Sequence, residues 1–271
     1  MEYETLNESE WSRVDRAWEL LDEGKVAEAR AEVESLYRER PGHADLRIVE
    51  AALRIEEGLA AQAIQVLEGA ERSADPALFF YLRARASFDL CRLDGARSDA
   101  ERSIAIRGDF AETRDLLSRT LEQLGDADGA REEAEAAADL DPDRFPLALE
   151  LDDAEFDRLV EKSLQELPER IRTELERMPV FVEDLPRLDM LREADPPLPP
   201  DLLGLFAERD LFQRSVNDVP QTPGAIYLFR RNLLRFCHDL EDLEREIRIT
   251  VQHEVGHLFG GEEHLDEWGL A

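Results

Sequence analysis

Three residues late in the chain have the types and spacing for hydrolytic chemistry: His253, Glu254 and His257, in the run His253-Glu254-Val255-Gly256-His257. On a helix, residues four apart project from one face, so His253 and His257 present two imidazoles side by side. Neutral imidazoles at that spacing bind Zn²⁺, and an adjacent carboxylate, Glu254, is placed to take a proton from water that the ion has acidified. With 5 His and 38 Glu in 271 residues, a random order gives about 0.013 matches to H-E-x-x-H, so coincidence in a charged helix is the weaker explanation. The flanks agree. Leu243, Ile247 and Val251 recur at helical spacing and predict an apolar face on a helix from about 239 to 259. Gly260 and Gly261 supply a helix stop and a turn that would return a third ligand to the metal.

The elements that must position this helix are legible upstream of it. Asp153 is suited to cap a helix carrying Phe156, Leu159, Val160 and Leu164 on one face, as far as Pro168. A short helix follows over about 168–177. Val180-Phe181-Val182-Glu183-Asp184 reads as a strand, and the prolines within 185–200 mark a loop. Ala225-Ile226-Tyr227-Leu228-Phe229-Arg230-Arg231 reads as a second strand. Acyl transfer also needs a donor for the developing oxyanion; Tyr227, Arg231 and His264 are the candidates. Cys237 and His238 are adjacent and read as packing and surface, and His43 as structural.

The first half has a different rhythm. Residues 11 to about 142 are rich in Ala, Leu, Glu and Arg, which predicts helices. Gly24, Gly58, Cys91 and Gly125 recur 34, 33 and 34 residues apart, and each is followed five residues later by an alanine: Ala29, Ala63, Ala96 and Ala130. Ala17, Ala51, Ala84 and Ser118 keep the same interval upstream. Small residues let paired helices cross closely, and glycine takes the left-handed backbone that reverses the chain. Cys91 departs from glycine, which predicts a helical or bridge conformation at the third turn. Pro41, Pro76 and Pro142 are expected to end the second helix of their units.

This first half resembles the tetratricopeptide repeat, whose period is about 34 residues. The resemblance implies stacked helix pairs that bind a protein or peptide ligand; the sequence shows no basic clamp that would identify it. From about Asp152 to Leu270 the chain resembles the minimal zincin metallopeptidase family. The matching pieces are Glu155–Val160, Leu167-Pro168-Glu169, Val180–Asp184, Leu203–Phe206, Ile226–Arg231, His253–Gly260 and Leu265–Gly269. The resemblance implies a compact α+β domain with the active helix under a small sheet. It also implies a third metal ligand at the last position of H-E-x-x-H-x-x-G-x-x-D. That position holds Glu263, not Asp, and the rival donor is His264, one residue on.

Composition bounds the function classes. The net charge of −31 is shared, −17 over residues 1–150 and −14 over 151–271, which argues against nucleic acid or an anionic membrane as a partner. Cys91 and Cys237 make no disulfide framework, and the acidic start Met1-Glu2-Tyr3-Glu4 has no apolar run; a cytoplasmic location is expected. The expected fold is α+β: an N-terminal all-α tetratricopeptide-like helical repeat array over 1–148, then a small zincin-like metallopeptidase domain over 149–271. The expected function is a zinc-dependent peptidase with Glu254 catalytic, His253, His257 and Glu263 on Zn²⁺, a peptide or protein substrate, and a recognition array. The alternative is an interaction scaffold whose zincin-like half binds metal without activity.

Overall fold

A computed structural model describes residues 5–71, 75–208 and 224–258, with the backbone alone for 208, 257 and 258. The chain divides into two compact units. One comprises Met1–Phe145 with Pro196–Pro199, the other Pro146–Asp195 with Pro200–Ala271.

The first unit is a run of helices: α1 (Glu8–Asp22), α2 (Val26–Glu39), α3 (Ala44–Glu56), α4 (Ala60–Leu67), α5 (Pro76–Asp89), α6 (Leu93–Ile106), α7 (Ala111–Gln123) and α8 (Ala127–Leu140). They pack as consecutive pairs, α1 on α2 through α7 on α8, and each pair also packs on the next. The recurring small residues Ala17, Ala51, Ala84 and Ser118 are buried on the first helix of each pair, and Ala29, Ala63, Ala96 and Ala130 on the second. The four pairs share one turn. Lys25 N–H donates to Leu20 O, Leu59 N–H to Arg54 O, Arg92 N–H to Ser87 O and Asp126 N–H to Leu121 O, at 2.7–2.9 Å. This bond, six residues back to one, closes a helix only if the residue before the donor is left-handed.

That requirement corrects the expectation for Cys91. Its φ is +55°, beside +72° at Gly24, +73° at Gly58 and +83° at Gly125. The turn imposes the same conformation on all four, and cysteine tolerates it because its buried thiol packs there and lies 3.3 Å from the Leu198 carbonyl oxygen. The expectation for Pro76 also fails. It occupies the first turn of α5, where its missing N–H has no helical partner to lose, and so opens a helix.

In the second unit, α9 (Asp153–Gln165) and α10 (Glu169–Leu175) precede β1 (Val180–Glu183), α11 (Leu188–Leu191), β2 (Gly204–Glu208), β3 (Gly224–Phe229), α12 (Arg230–Phe236) and α13 (Leu240–Leu258). The cap of α9 is Asp152, one residue earlier than expected. Its side chain accepts from Glu155 N–H at 2.8 Å while Glu155 accepts from Asp152 N–H at 3.2 Å, the reciprocal capping box. The sheet order is β1-β3-β2, with β1 parallel and β2 antiparallel to β3. β3 ends at Phe229, two residues before its expected end, because Arg230 and Arg231 begin α12.

The central strand β3 is buried along its whole length. One face, Ile226 and Leu228 with Phe206, Val180 and Val182, shares a core with Phe156 and Val160 of α9, Ile171 of α10, Leu233 of α12, and Leu243, Ile247, Val251 and Val255 of α13. The other face, Ala225, Tyr227 and Phe229, packs with Ala207, Leu205 and Met190. The 3.6-residue stripe on α13 thus meets the 2-residue alternation of the sheet.

Candidate metal centre

The site is built on α13. Asp239 accepts from Asp242 N–H at 2.8 Å, and Asp242 accepts from His238 N–H at 3.1 Å, which fixes where the helix starts. From there Leu243, Ile247, Val251 and Val255 fall on one fully buried stripe, and they anchor the helix under the sheet. Side-chain ties hold it to α9: Lys162 to Glu244 at 2.6 Å and Arg248 to Glu166 at 2.9 Å. These pairs are solvated, so they register the helices more than they stabilise them.

The helix is unbroken through residues 253–258, so His253 and His257 stand one turn apart on the same side. The His253 side chain is half-buried; for His257 only the backbone is described. Glu254 lies at the sheet-facing edge of the buried stripe and is 7 % exposed. Its Oε2 accepts from the Phe206 N–H of β2 at 2.7 Å. Among the described residues Glu254 makes no ion pair. Glu263 and His264 lie outside the described residues. Among the described residues no cluster of three or more His, Cys, Asp and Glu side chains forms a competing metal site.

The nearby alternatives separate from this centre. Tyr227 points to the sheet face away from α13, among Ala225, Ala207 and Phe229, and burial, then Glu183, raises its pKa. Arg231 lies past the end of β3, its N–H donating to Asp184 O at 3.1 Å and its guanidinium 3.8 Å from the Asp184 carboxylate. Neither candidate oxyanion donor is brought beside Glu254. Burial pushes the Cys237 thiol up to about 12, with Asp242 and Glu246 adding to the effect, so it stays protonated and packs in the core.

Sequence reasoning missed β2 and with it the Phe206 N–H. The available signal was Gly204, a glycine inside the apolar run Leu202–Phe206; such a glycine marks a close backbone approach. A Cβ at 204 would run into the Thr250 methyl of α13 and lie 3.0 Å from the Tyr227 carbonyl oxygen.

Two family models match parts of the chain. Residues 175–269 match a family model described as zincin-like metallopeptidase. Residues 20–86 match a model described as tetratricopeptide repeat; the two models follow one another in the order the residues suggest. No curated protein matches the chain. Among the described residues no helix is long and apolar enough to cross a membrane.

Proposed function

We propose that the chain is a zinc-dependent peptidase whose helical repeats recognise a protein or peptide. The observation that carries this is the state of Glu254. It is a nearly buried carboxylate held by one N–H and matched, among the described residues, by no cation. A buried, unpaired carboxylate costs several kcal/mol. A dication on His253, His257 and Glu263 would offset that cost, and imidazole and carboxylate donors suit zinc. When bound, zinc supplies Lewis acidity toward water and toward a scissile carbonyl.

The chain's own residues do the rest. Glu254 receives the proton of the attacking water on the oxygen not held by Phe206 and returns it to the leaving amine. The outward carbonyls of Gly204 and Phe206 on β2, whose Phe206 N–H is taken by Glu254, hold an extended peptide beside the helix by main-chain hydrogen bonds. The acidic surface disfavours nucleic acid and anionic membrane, and the reading commits to peptide or protein substrate. A cytoplasmic location is part of the same proposal; Cys91 and Cys237, which form no disulfide, support it.

The test is zinc content by mass spectrometry on the purified chain, paired with cleavage of fluorescein-labelled casein. About one zinc per chain with cleavage supports the peptidase; zinc without cleavage of any peptide in a proteome-derived library supports the scaffold alternative. The domain boundary is part of the proposal: residues 149–271 alone fold and hold zinc. An unfolded fragment in the presence of zinc places the boundary elsewhere.

A further inference from the structure

We infer that the Phe206 backbone N–H is a positioning donor for Glu254, installed by Gly204; the inference rests on the peptidase proposal for its chemical use. Three observations lead to it. First, the N–H belongs to no strand ladder. Phe229 N–H donates to Leu203 O at 2.9 Å, so in the antiparallel pair Leu205 and Ala207 direct their backbone groups toward β3. Gly204 and Phe206, opposite Leu228 and Ile226, direct theirs out of the sheet. Among the described residues no strand pairs with that edge, and the donor there meets a carboxylate.

Second, the register is set by two matched steps. Gly204 lies over Thr250, and Phe206 meets Glu254. Two residues along a strand advance about 6.8 Å, and four along a helix about 6.0 Å. Close contact at the first pair therefore delivers the second. Any side chain at 204 would lift β2 from Thr250 and draw the Phe206 N–H away from the carboxylate.

Third, the bond uses only one of the two carboxylate oxygens. Oε2 is held, which restrains the group, and Oε1, which has no partner among the described residues, is left to meet water. A base that must lie within hydrogen-bond reach of its proton gains from such restraint, since a displacement of about 1 Å at a reacting group costs on the order of 100-fold in rate.

The experiment has two arms on the full-length, zinc-loaded protein. In the first, ¹⁵N-phenylalanine labelling marks the 12 phenylalanine amides, and hydrogen exchange is followed at Phe206. The inference expects protection in the native protein and exchange at least about tenfold faster in Glu254→Ala, with the Phe229 amide unchanged. A Phe206 amide that exchanges at one rate in both proteins overturns it. The second arm compares Phe206→Pro, which lacks only this outward N–H among its backbone groups, with Phe206→Ala, which keeps it; proline is tolerated at such an edge position. On fluorescein-casein, kcat falls about 100-fold in the proline variant with KM within about threefold, while the alanine variant keeps most of its kcat. Equal loss in both variants overturns the positioning role. If native protein leaves casein intact while the amide arm gives the expected result, the peptidase proposal fails on this substrate and the Phe206–Glu254 contact stands.

Discussion

Each of the two units buries carboxylates, and they treat the charge differently. In the repeats, Glu50 is 1 % exposed and Asp99 7 %, yet both are neutralised. Arg30 and Arg54 reach Glu50 at 3.2 and 2.6 Å, and Arg83 holds Asp99 through two bonds of 2.6 Å while lying over the Phe79 and Phe80 rings. In the second unit Glu254 is as buried as Asp99 but, among the described residues, has a single neutral donor. A carboxylate closed off by arginines has its charge balanced for structure. One that, among the described residues, meets no cation and lies beside His253 is the carboxylate the peptidase proposal uses.

The contrast predicts opposite outcomes for the same chemical change. Glu254→Gln keeps the shape and the acceptor for Phe206 N–H but removes the base. Casein cleavage should fall by roughly 1,000-fold with zinc content unchanged and thermal unfolding at or above the native value. Loss of zinc together with activity would make Glu254 a ligand and end the distinction from a structural carboxylate. Next in size is the third donor. Glu263→Ala should weaken zinc on the order of 100-fold in a competition titration, and His264→Ala should leave most of the affinity, because Glu263 stands at the position where the resembling motif places its third ligand. The reverse ranking makes this a three-histidine centre.

Much of this was legible before any coordinates. The stripe Leu243–Ile247–Val251 is buried as its period requires, because the helix that carries His253 and Glu254 also closes the core. The alanines of the repeats fell at helix crossings because close packing admits little else there. What escaped was non-local. β2 opens on a glycine and, among the described strands, lies on an edge, so its described sequence has none of the alternation that marks a half-buried strand; pairing with β3 and contact with α13 define it. The end of β3 at Phe229 was missed for a related reason: Arg230 and Arg231 suit strand or helix, and the packing of Leu233 into the core decides.

Glu50→Gln tests the other side of the comparison. An amide there leaves two arginines facing a neutral group, though Arg30 retains Glu57 at 2.5 Å and both guanidiniums reach solvent. The expected loss is about 2 kcal/mol in urea unfolding, with casein cleavage and zinc content at native levels. A variant as stable as the native chain would mean the arginines stabilise nothing here, and that their pairing with Glu50 says nothing about how Glu254 differs.

The smallest effect concerns how strictly the repeats impose their geometry, against a second unit whose described residues with positive φ include none. Cys91 holds φ +55° for the sake of the Arg92 N–H to Ser87 O bond. A left-handed residue with a Cβ costs about 1 kcal/mol relative to glycine, and replacing the cysteine also removes a buried thiol. Cys91→Gly alone mixes the two and should change stability little. Cys91→Ala removes the sulfur yet keeps the Cβ, so the pair isolates the backbone: glycine should be more stable than alanine by about 1 kcal/mol, contrary to the usual order of these residues in helices. Equal stabilities, or alanine ahead, would show that the third turn leaves the left-handed region in solution. Its resemblance to the turns at Gly24, Gly58 and Gly125 would then be one of position only.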